Sequence, residues 1–111
     1  MTMMIGEAVS VELTDLEVAE QIQTQLNNNP DVESVVVKGH LLQLSITESL
    51  YNRLAIDRER GRKIVLTLMQ SMKRLTNATD VTVWVYCGKE KMIEGKVKDW
   101  GGDNVNYLYD L

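Results

Sequence analysis

The apolar residues of this chain change period repeatedly, from two to about four and back, and that alternation limits the fold more than any single motif. "AVSVEL" (8–13) places Val9, Val11 and Leu13 on one side of an extended segment, the pattern of a strand. "TDLEVAEQIQTQLNNNP" follows, with Val18, Ile22 and Leu26, joined by Ala19, in one stripe at helical spacing. Thr14 and Glu17 stand at the spacing of a capping box, where hydroxyl and carboxylate each satisfy a backbone amide that the first turn leaves open. Leu13 and Val18 sit where a hydrophobic staple packs, and Asn27–Asn29 with Pro30 stop the helix.

"DVESVVVKGHLLQLSIT" has the period of a hairpin, and the pattern selects its register. A loop at Lys38-Gly39 sets Glu33 opposite Leu44 and mixes the two faces. A loop at Gly39-His40 instead pairs Val37 with Leu42, Val35 with Leu44 and Glu33 with Ile46. The other side then holds Lys38–Leu41, Val36–Gln43 and Ser34–Ser45. The second register separates apolar from polar better, and it puts Gly first in the loop, as a type II′ turn requires.

"ESLYNRLA" (48–55) reads as a connection with room for a helical turn. Asp57 is then the N-cap of a long helix to about Leu75, striped by Gly61, Ile64/Val65, Leu68, Met72 and Leu75. The small Gly61 lets the backbone approach the sheet closely, at about 1 kcal/mol in helix propensity. After "NATD", the strand "VTVWVYC" (81–87) puts Val81, Val83, Val85 and Cys87 on one face and Thr82, Trp84 and Tyr86 on the other. "GKEK" turns the chain into a weaker strand, "MIEGKVKDW". After "GGDN" comes "VNYLYDL", with Val105, Tyr107 and Tyr109 aligned. The expected order is β-α-β-β-α-β-β-β, an α+β two-layer sandwich over 1–111 with a mostly antiparallel sheet and both helices on one face.

At 111 residues, with 44% apolar and 25% charged residues, the chain has the composition of one small globular domain with one core. The N-terminus has no basic n-region and no apolar run of signal-peptide or membrane-span length. One Cys excludes an intramolecular disulfide. The expectation is a cytoplasmic protein without a membrane span.

Chemistry-bearing residues are sparse. His40 falls in a turn and Cys87 at a strand end, and a Cys–His nucleophile needs the two within hydrogen-bond reach. Two such residues fall short of a zinc ligand set. Carboxylates form no evident acid/base pair, and "GKEKMIEGK" lacks the spacing of a phosphate loop. No enzyme activity, metal or cofactor is expected.

Charge is the second informative feature. Residues 1–48 hold eight acids and one base, residues 49–98 eleven bases and five acids, and the tail three acids, for a net −4. Four bases, Arg58, Arg60, Arg62 and Lys63, crowd the start of the second long helix, where the macrodipole is positive. Asp57 and Glu59 offset them, and Glu59–Lys63 has the favourable i, i+4 orientation. With Arg53 they form either a solvated, salt-bridged helix face or an anion-binding or partner-binding ridge. The acidic first helix, bearing Glu17 and Glu20, is one candidate partner, in the same chain or a second copy. Nucleic acid is disfavoured by the acidic balance, with a pI near 4.9.

Trp84, Tyr86 and Met92 form the candidate interface. If helices cover the valine side of the 81–87 strand, its aromatic side is left for a homo-oligomeric or other protein partner, unless a terminal strand folds over it.

The runs "LNNNPDVESVVVKGHLLQLSITES", "IDRERGRKIVLTLMQSMKRLT" and "DVTVWVYCGKEK", with a later Trp100, carry a resemblance. Leu26-Asn27, Gly39-His40-Leu41, Asp57, Val83–Tyr86 and Trp100 resemble the pattern of a small uncharacterised α/β module of cyanobacterial proteins. Cys87-Gly88-Lys89 departs from that module's "G-R". The likeness spans roughly residues 18 to 100 and implies a fold but no activity. "AEQIQTQLNNNPDVESVVVKGHLLQLS" also resembles the BON module, a lipid-associated periplasmic domain that usually follows an export signal. No functional residue is carried over from either.

Overall fold

The computed structural model describes residues 13–98 and 101–108. The expected strand at 8–13 lies outside them except for Leu13, and so does Tyr109. In chain order the elements are α1 (Asp15–Gln25), β1 (Val32–Lys38), β2 (Leu41–Ile46), α2 (Glu48–Ile56), α3 (Arg58–Thr76), β3 (Thr82–Cys87), β4 (Glu90–Val97) and β5 (Asp103–Tyr107).

Local chemistry sets each boundary. The capping box at α1 is complete: Glu17 N–H donates to Thr14 Oγ1 at 3.1 Å, and Thr14 N–H donates to Glu17 Oε1 at 2.9 Å. Past the C-cap Leu26, Asn27 and Asn28 take left-handed φ values of 58° and 50°. Asn28 N–H then donates to Gln23 O and Asn27 N–H to Thr24 O, the paired bonds of a Schellman stop. Asp57 caps α3 by accepting from Arg60 N–H at 3.1 Å. The segment 48–56, read from sequence as a connection, is a full helix: Thr47 Oγ1 accepts from Leu50 N–H, and Tyr51, Leu54 and Ala55 are buried. The fold therefore has three described helices, where two were expected.

The five described strands form one mixed sheet in the order β1-β2-β3-β4-β5. β2 and β3 are parallel, joined by the α2–α3 crossover, and the other three pairings are antiparallel. The first hairpin adopts the expected loop, with Gly39 at φ +64° and Val37↔Leu42 and Val35↔Leu44 in register. Ile46 is a correction: it pairs with Val32, because a bulge between Val32 and Ser34 leaves Glu33 exposed. Burying that carboxylate on the apolar side costs more than the irregularity.

Side chains alternate across the sheet. Val37, Leu42, Val83, Gly95 and Val105 make one inner row, and Val35, Leu44, Val85, Ile93 and Tyr107 the next. These rows share one buried cluster with Val18 and Ile22 of α1, Leu54 of α2, and Val65, Leu68, Met69 and Met72 of α3. Two glycines set the closeness of α3. A Cβ on Gly95 would lie 2.6 Å from Val65 Cγ1 and 2.9 Å from Met69 Sδ. A Cβ on Gly61 would collide with Tyr107 Oη. The close approach expected at Gly61 is thus made, through the β5 tyrosine. Away from the sheet, buried Ser71 of α3 donates to Gln25 Oε1 of α1 at 2.6 Å.

Candidate functional site

Two surfaces carry the residues singled out from the sequence. The first is the outer face of the sheet, where the row Val36, Gln43, Trp84, Glu94, Asn106 crosses all five described strands. Trp84 is half-buried and fixed in place: its Nε1–H donates to Glu94 Oε2 at 2.9 Å, and Lys91 Nζ lies 4.2 Å from its ring centroid. Lys91 and Glu94 also pair at 3.5 Å. Tyr86, on the same face, is half-buried as well. Met92 does not join this strip. It falls at the irregularity that separates the Val85↔Ile93 and Tyr86↔Lys91 pairs, and it packs against the core.

The second surface is the basic start of α3, where the four cations diverge. At about 100° per residue, positions 58 and 60 point to opposite sides of a helix. Arg58 stacks over the Tyr107 ring, 4.8 Å from its centroid. Arg62 pairs with Glu59 at 3.6 Å, in place of the expected Glu59–Lys63 pair. The Tyr107 hydroxyl donates between Leu54 O at 2.9 Å and Arg58 O at 3.2 Å. Burial pushes its phenol pKa upward, against the lowering effect of the Arg58 and Arg62 guanidiniums.

Arg60 and Lys63 face the other way, toward α1. There the C-terminal end of α1, α2 and the first half of α3 stand apart over the inner face of the sheet, leaving a cavity of about 400 Å³. Leu44, Ile46 and Val85 form its floor, and Leu26, Leu50, Leu54 and Ile64 its walls. Polar groups gather with them from Asn29, Arg53, Asp57 and Arg60. A shallower groove of about 370 Å³ shares Leu26, Arg60 and Ile64 and runs along α3 past Lys63. Arg53 is anchored to Asp31 at 2.7 Å, and Thr47 Oγ1 donates to the same carboxylate at 2.9 Å. The sequence reading missed this cavity. Its one linear signal is apolar surface off the helix stripes, above all Ile56, which is 86% exposed beside the opening.

His40 and Cys87 lie toward opposite ends of one strand pair. His40 O accepts from Thr82 N–H at 3.0 Å, and Cys87 is five residues further along β3, about 17 Å at strand rise. Burial, reinforced by the carboxylates of Glu48, Glu33 and Glu90, pushes the Cys87 thiol pKa up, away from thiolate reactivity. Among the described residues, no three potential metal ligands converge, and no helix is long and apolar enough to cross a membrane. Comparison of the chain with protein-family models, curated proteins and solved structures finds no match.

Proposed function

We propose that the chain is a non-enzymatic interaction module that pairs with a second copy of itself through the outer face of its sheet. The observation that carries this reading is the placement of Trp84 and Tyr86: both lie opposite the helix-packed rows, and Trp84 is held rigid by Lys91 and Glu94. A fixed indole contributes contact area at little cost in side-chain entropy, which is why such residues anchor interfaces. The adjacent Lys91 and Glu94 also offer charges of both signs to a two-fold related copy.

Size sets the strength of the pairing. Five strands about 4.8 Å apart and about six residues long span a footprint of about 500 Å². Stable interfaces take about 800 Å² from each partner, so the dimer is weak and concentration-dependent. In sedimentation velocity the wild type is expected to shift toward dimer as concentration rises. The double variant Trp84→Ser, Tyr86→Ser should stay monomeric with its circular dichroism unchanged. A wild type that remains monomeric at high concentration, in both low and high salt, defeats the reading.

The alternative is a phosphate or nucleic-acid binder using Arg58, Arg60, Arg62 and Lys63. It has less support, since Arg58 is committed to Tyr107 and Arg62 to Glu59 on the side away from Arg60. Its signature is a salt-sensitive affinity for polyanions that charge reversal of those residues abolishes.

A further inference from the structure

We infer that the cavity between α2, α3 and the end of α1 is a binding site for a small monocarboxylate with an extended apolar body, such as a medium-chain alkanoate. The inference is independent of self-association, because the cavity opens on the helix side and the proposed dimer face is the opposite side of the sheet.

Three features select this class. First, the volume of about 400 Å³ falls within the roughly 300–1,000 Å³ typical of small-molecule sites. Second, floor and walls are aliphatic, from Leu44, Ile46 and Val85 below to Leu50 and Ile64 beside, so they reward an apolar body by about 0.8 kcal/mol per buried methylene. Third, one cation at the cavity is left for a ligand: Arg53 is neutralised by Asp31 at 2.7 Å, while Arg60 stands at the rim with Asp57. Asp57 is already engaged as the cap of α3, and Arg53 is oriented by Asp31. Arg60 has no ion pair among the described residues, although its guanidinium offers the planar fork that a carboxylate accepts. Asn29 lies at the rim, its Oδ1 accepting from Asp31 N–H at 2.8 Å.

The geometry therefore puts the anionic head at Arg60 and the chain over the Leu44–Val85 floor. A dianionic or bulky polar ligand does not suit it, because nothing polar lines the floor to replace lost hydration.

The test uses the full chain and decanoate below its micelle concentration, followed by NMR of backbone amides and methyl groups. Saturable one-to-one binding is expected, with shift changes concentrated at Leu44, Leu50, Ile64 and Val85. Arg60→Glu should weaken binding by about tenfold or more, as loss of a charge-assisted contact does. Arg74→Glu, an equal charge change on exposed surface farther along α3, should leave affinity unchanged. Decanol should bind as weakly to wild type as decanoate binds to R60E.

The proposal is overturned if decanoate and octanoate give no saturable shifts, or if R60E and R74E bind alike. It is equally overturned if binding is seen only with anionic phospholipid vesicles. Contacts between the wall methyls and residues 1–12 of the same chain in the ligand-free protein would also overturn it, by giving the cavity a different occupant.

Discussion

The two faces of the sheet are built from the same five strands, residue by residue in alternation, and they have opposite characters. On the inner face Leu42, Val83, Val85 and Ile93 are almost wholly excluded from solvent, and α3 approaches until Gly95 has no room for a side chain. On the outer face the neighbouring positions are Gln43, Trp84 and Glu94, all half-buried, with Trp84 and Glu94 tied by a side-chain hydrogen bond. The inner face is stabilised by the area it removes from water, a non-directional gain that tolerates no missing volume. The outer face gains little from burial and keeps its order through local contacts such as Lys91–Trp84–Glu94. A difference of one residue in position thus separates the side chains that hold the fold from those on the face turned away from the helices.

Adjacent substitutions break this comparison most directly. Ile93→Ala removes fully buried volume and is expected to cost about 2–5 kcal/mol in denaturant unfolding. Glu94→Ala, one residue away, should cost less than about 1 kcal/mol, the scale of a partly exposed pair. Equal losses would show that the outer face contributes to stability as the inner one does.

Gly61→Ala comes next. The added methyl meets Tyr107 Oη and forces the phenol from its carbonyl acceptors, at about 1–3 kcal/mol. Adding Tyr107→Phe should recover part of that loss in thermal melts, because the obstructing oxygen is gone. If the double variant is less stable than G61A alone, the close contact is not the cause.

The smallest effect sharpens the inner side. Tyr51 is buried on α2, and its hydroxyl has no hydrogen-bond partner among the described residues. Tyr51→Phe removes an unsatisfied oxygen at nearly constant shape, so stability should stay level or rise by up to about 1 kcal/mol. A clear loss would reveal a partner for that oxygen.

Much of the fold was legible along the chain because its causes are local. The Thr14–Glu17 box, the Asp57 cap and the Gly39-His40 loop each act within a few residues, and each is found where the pattern placed it. Helix α2 was missed although Thr47 caps it, since nine residues give too few turns for a stripe to stand out. The basic cluster was legible as composition but not as a site. Sequence proximity set Arg58, Arg60, Arg62 and Lys63 together, and helical rotation sent them apart.

The amino-acid sequence by itself determined the periods, the caps and the sorting of each strand into an apolar and a polar side, because those depend on neighbours one to four residues away. Only tertiary structure decided that β2 runs parallel beside β3, that Tyr107 closes on Gly61, and that α1, α2 and α3 leave a cavity at Arg60. Each of these joins segments far apart in the chain, and their separation is set by how whole elements pack rather than by any local preference.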